Sequence, residues 1–99
     1  MDKLYARIYE SLDRRDYISA KKHIAALQPY DAQTAAQLMT CLYIEQALWQ
    51  EAAAAWQTLY ELLPDDFYTA FLHARILVGR GRYVSAYGEL KKLSYHRSI

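Results

Sequence analysis

Residues 49–64 read WQEAAAAWQTLYELLP, and the fold can be worked outward from them. Trp49 is followed three places on by Ala52, then four on by Trp56, then three on by Leu59. That spacing describes one face of an α-helix. The same figure stands upstream as Tyr17, Ala20, Ile24 and Leu27, and downstream as Tyr83, Ala86, Leu90 and Leu93. The small residue recurs at 20, 52 and 86, so the steps are 32 and 34 residues. Three copies of one helical figure at near-constant spacing predict a repeat array rather than a single closed core.

Breakers and caps divide the chain into six helical segments. Leu4, Ile8 and Leu12 hold helical spacing over residues 3–12, and Asp13-Arg14-Arg15-Asp16 reads as a polar turn. Tyr17 to Gln28 resumes the pattern; Pro29 ends it and Asp31 is placed to cap the next helix. That helix is expected from Ala32 to about Leu48, its turn near Ala47–Trp49 inferred from the repeat, since no Gly or Pro marks it. A fourth covers residues 50–63, and Pro64-Asp65-Asp66 is a break-and-cap signal. The fifth runs from Phe67 to about Val78, Gly79-Arg80-Gly81-Arg82 forms a turn, and the sixth runs from Tyr83 to Tyr95, with His96 to Ile99 frayed. The expected fold class is therefore all-α: three antiparallel helix pairs over about 1–30, 31–64 and 65–99. Ala20, Ala52 and Ala86 should lie where the helices of a pair cross, so a large side chain there costs about 1–3 kcal/mol or more through overpacking.

Composition narrows the function classes. The chain has 99 residues, enough for one small domain, and its apolar excess lies in ten Tyr. Tyrosine either fills helix seams or serves recognition surfaces, where it offers large contact area at low entropy cost. Net charge is +1, and the basic doublets Arg14–Arg15, Lys21–Lys22 and Lys91–Lys92 are isolated, which argues against nucleic acid. Cys41 is alone, so no disulfide framework exists within the chain; this fits a reducing compartment, and a cytoplasmic location is expected. No signal-peptide core and no membrane-length apolar run is found.

Chemistry is not signalled. His23, His73 and His96 lie in separate helical segments, Cys41 in a fourth, and no pair has metal-ligand spacing. Glu45, Glu51, Glu61, Asp65 and Asp66 sit at caps or on polar faces. No Ser-His or Cys-His arrangement and no phosphate loop emerges, so neither an enzyme nor a cofactor or metal site is expected.

The period and spacing resemble the tetratricopeptide repeat, whose period is about 34 residues. Tyr43, Ala52, Trp56 and Pro64 fall at that family's spacing, as do Gly81, Tyr83 and Ala86. The first repeat is two residues short, with Pro29 early. The early helices lack the family's Trp-x-x-Leu-Gly opening, with Ala36, Met39 and Thr40, then Ala70, His73 and Ala74, in its place. The resemblance implies a short right-handed superhelix in which the first helix of each pair lines a concave groove. Carried over residue by residue, the groove positions are Tyr5, Tyr9 and Leu12; Thr34, Gln37, Cys41 and Ile44; and Tyr68, Phe71, Arg75 and Val78. The alternative for each is plain interhelical packing. Where relatives that clamp a C-terminal carboxylate carry Lys, Asn and Arg, this chain has Tyr5, Tyr9, Leu38, Tyr68 and Leu72, so such a clamp is not expected.

An apolar trough between helices suits an amphipathic helix as guest. The chain is also similar to the small tetratricopeptide-type chaperones of type III secretion that withhold a needle subunit from polymerising, together with a small helical co-chaperone. The implied function is a chaperone or adaptor in a heterocomplex; the alternative is a permanent scaffold subunit. No polar capping helix is expected after helix six, and Tyr83, Tyr87, Leu90 and Tyr95 would leave an apolar end face. Self-association or a second protein covering that face is expected.

Overall fold

A computed structural model describes residues 2–97 of the chain, with side chains through Lys92. The described residues form six α-helices and no strand: α1 (Asp2–Asp13), α2 (Tyr17–Leu27), α3 (Ala32–Glu45), α4 (Trp49–Leu62), α5 (Phe67–Gly79) and α6 (Tyr83–Arg97). Aspartates open three of them. Asp16, Asp31 and Asp66 each accept the backbone N–H three residues on, from Ser19, Thr34 and Thr69 at 3.1, 3.2 and 3.0 Å. Each bond satisfies one of the amides that a helix start leaves without a partner.

The ends of α1, α3 and α5 share one geometry. Arg15, Ala47 and Gly81 adopt positive φ of 56°, 57° and 79°. Their N–H groups donate to the carbonyls of Leu12, Ile44 and Val78, each at 3.0 Å. The next residues, Asp16, Leu48 and Arg82, donate to Ser11, Tyr43 and Leu77 at 2.9, 2.9 and 2.8 Å. This paired pattern is the Schellman closure, and the following residue begins the next helix at once. Ala20, Ala52 and Ala86 then donate to the carbonyls of Asp16, Leu48 and Arg82, and all three alanines are buried.

Most boundaries fall within a residue or two of the sequence expectation, and two of the differences have a clear physical reason. Helix α3 stops at Glu45 rather than near Leu48, because Ala47 takes the left-handed turn that glycine usually supplies. Gly79 belongs to α5, not to the turn, and Gly81 alone makes the reversal. Gly79 serves packing instead, since a Cβ there would overlap the Trp49 indole. At the C-terminus, α6 continues through Arg97; Ser98 and Ile99 lie outside the described residues, as does the Tyr95 side chain.

Each helix packs on its chain neighbours, and α3 also packs on α5; among the described residues α1 does not reach α4, α5 or α6. The apolar interior falls into two clusters. Ile8, Ala20, Ile24, Leu27, Ala35 and Leu42 form one, across α1, α2 and α3. Ala36, Ile44, Ala52, Leu59, Leu72 and Ile76 form the other, across α3, α4 and α5. Helix α3 contributes to both from different faces. Its buried Thr40 hydroxyl is satisfied by the Ala36 carbonyl at 2.7 Å. The radius of gyration, 14.1 Å, exceeds the ~13 Å of an average domain this long, as expected of a molecule with two small cores.

Candidate functional site

On α3, Thr34, Gln37, Cys41 and Ile44 recur at steps of three, four and three, which places them along one face. On α5, Tyr68, Phe71, Arg75 and Val78 do the same. Because α3 packs on α5, the two stripes meet, but out of step. Cys41 Sγ lies 3.3 Å from the Tyr68 hydroxyl, although the repeat aligns Cys41 with Arg75. The Tyr68 and Phe71 rings stack at 6.3 Å between centroids. Further along, Ile44, Phe71, Arg75 and Val78 wall a cavity of about 380 Å³ with Trp49, Ala74, Gly79 and Leu90.

This surface is apolar and accessible. Tyr68, Phe71 and Val78 are 40%, 36% and 43% exposed, high values for aromatic and aliphatic side chains. Ile44 is buried and forms the floor as part of the second core. Arg75 is exposed and makes no ion pair among the described residues, so one unmatched cation sits in an apolar wall. The Tyr68 phenol is pushed up to about 12, first by its hydrogen bond with Cys41 and then by burial, so it stays neutral across the physiological range.

The other expected groove residues lie elsewhere. The Tyr5 hydroxyl donates to Asp31 Oδ2 at 2.6 Å, tying α1 to the cap of α3. That bond holds the Asp31 carboxyl below the usual aspartate range and the Tyr5 phenol above its own. Leu12 packs against the first core, and Tyr9 is 51% exposed. Gln37 is half-buried on α3, and the Thr34 amide is occupied by Asp31. None of these five lines the cavity. Conversely, Trp49 and Leu90 line it from α4 and α6, although the sequence placed Leu90 on an open end face and gave Trp49 no part in the groove.

Two further features stand apart. A second cavity of about 380 Å³ is lined by Ile24, Ala35, Ala36, Met39, Ala55 and Leu62 among others, between α2, α3 and α4. The His73 imidazole stacks on the Trp56 indole at 4.3 Å, with Glu89 Oε1 3.7 Å from His73 Nδ1, while Trp56 Nε1 donates to the Thr69 carbonyl at 2.7 Å. That cluster joins α4, α5 and α6. Among the described residues no group of three His, Cys, Asp or Glu side chains could hold a metal ion, and no helix is long and apolar enough to cross a membrane. No protein-family model, no curated protein and no solved structure matches this chain.

Proposed function

We propose that the chain is a tetratricopeptide-like adaptor whose α3–α5 surface holds an amphipathic helix of another protein. In this reading the six helices form three antiparallel pairs stacked into a short superhelix. The equivalent turns at Arg15, Ala47 and Gly81, spaced as the buried alanines are, support that arrangement. The observation that carries the functional reading is the wall of Tyr68, Phe71 and Val78, partly exposed beside a cavity of about 380 Å³. The narrower reading, a cytoplasmic type III secretion chaperone that withholds a needle subunit with the help of a co-chaperone, rests on the resemblance in size and repeat number. Its mechanism is competition: the groove covers the apolar stripe through which the client would otherwise assemble.

The test compares wild type with Phe71→Glu and Tyr68→Glu in capture from the native host, followed by identification of the bound chains by mass. Both side chains are partly exposed, so the variants should keep their helical circular dichroism. The proposal expects a chain that binds wild type and is lost from both variants. It further expects that this chain alone forms large assemblies, and that added wild-type protein keeps it small. Unchanged binding by both variants ends the groove reading. A partner that is retained permanently and never assembles alone identifies a scaffold subunit instead.

A further inference from the structure

Helix α6 carries an exposed apolar stripe that borders the groove cavity at Leu90 and runs outward from it. Tyr83, Val84, Tyr87 and Leu90 are 66%, 88%, 68% and 42% exposed. Their spacing places them on one stripe of the helix. Shifted back by 34 residues, Tyr83 and Leu90 fall on Trp49 and Trp56. Those two indoles are covered by α5, Trp49 by Gly79 and Trp56 by Thr69 and His73. Shifted back by a further 32, the same positions are Tyr17 and Ile24, which pack into the first core beneath α3. At both earlier places a helix lies across this stripe; across α6 none does among the described residues.

Charge decides what can lie there. Residues 80–92 hold Arg80, Arg82, Lys91 and Lys92 against the single acid Glu89, which faces His73. All four cations are exposed and make no ion pair among the described residues. Two copies joined α6 to α6 would bring eight cations together around one apolar patch. Stacking α6 on the α1 of a second copy would supply acids in Asp2, Glu10 and Asp13 but no matching apolar stripe, since Leu4, Ile8 and Leu12 face the first core and only Ala6 and Tyr9 are exposed among Lys3 and Arg7. Neither buries the stripe well. We infer that the exposed face of α6 at Tyr83, Val84 and Tyr87 is a second docking surface, which meets the α3–α5 groove only at Leu90, and that it takes an amphipathic helix of another protein whose apolar stripe is flanked by Asp or Glu.

The probe is a fluorescent helical peptide of about 16 residues, long enough for four turns, with Leu on one face and Glu on its flanks, beside a twin carrying Lys in place of Glu. At low salt the Glu peptide should bind about tenfold more tightly than its twin, the order expected of a few exposed ion pairs, and the gap should close at high salt. Val84→Glu and Tyr87→Glu, both at highly exposed positions that leave the fold intact, should weaken binding at least tenfold. Tyr68→Glu, on the groove wall but outside the cavity that Leu90 borders, should leave it unchanged. Equal binding of the two peptides, or binding of neither, overturns the inference. So does loss of binding on Tyr68→Glu, which would seat the peptide in the groove and leave the proposed function standing. A dimer in sedimentation that Val84→Glu dissociates would make a second copy the occupant, and displacement of the peptide by anionic vesicles or an oligonucleotide would make the surface one for lipid or nucleic acid; each would overturn it.

Discussion

At the scale of single residues, the three turn positions show how one backbone shape is met with unequal chemistry. Gly81 adopts its positive φ without a Cβ penalty, whereas Arg15 and Ala47 carry one. Ala47 is exposed, so its methyl group has little burial to lose. Ala47→Gly should therefore stabilise the protein by roughly 0.5–1 kcal/mol, and Gly81→Ala should destabilise it by about 1 kcal/mol. Urea denaturation reads both, and shifts of the same sign would show that the turns are not equivalent. The signal at Gly81 was legible in the sequence, as Gly after a helical run. The turn at Ala47 was expected only by analogy with its neighbours, because Ala carries no mark of a left-handed conformation.

At the scale of the helix, the junction between α1 and α3 depends on protonation. The Asp31 carboxyl is held low chiefly by the Tyr5 hydroxyl, then by Thr34. A depressed carboxylate adds stability above its ordinary pKa of about 4 and loses it as the pH falls through the depressed value. Tyr5 is raised, first by its bond to Asp31, so its contribution is present below pH ~10 and fades as the pH rises further. Acidifying from pH 5 toward 2 should thus lower the denaturant midpoint less in Tyr5→Phe than in wild type. Equal acid sensitivity in the two proteins would mean that the bond carries no linkage in solution. Asp31 as a helix cap was readable from Pro29 and the polar break. Tyr5 as its partner was not, because 26 residues separate them and no local rule spans that distance.

At the scale of the whole molecule, α3 is the shared wall of two cores, while among the described residues α6 packs helix to helix only on α5. Hydrogen exchange should follow this difference. Amides in the middle of α3 should open only with global unfolding, and those of α6 should open at lower free energy, through local unfolding of the last pair. Equal protection of α3 and α6 would indicate one cooperative core and count against an array.

The sequence by itself determined that the chain is helical, where most helices begin and end, and which small residues must be buried. Those are local matters: a period of 3.6, aspartate caps and proline stops act within a turn or two of the chain. It also determined which side chains share a face of α3 and of α5. Only the tertiary structure decided how those faces meet. The slide of α3 along α5 pairs Cys41 with Tyr68, brings Ile44 to Phe71 and admits Trp49 and Leu90 to the same cavity. It leaves Tyr5, Tyr9, Leu12 and Gln37 outside. Periodicity orients a residue around its own helix axis, but the offset between two axes is set by the shapes that interlock there, such as the Trp49 ring against Gly79.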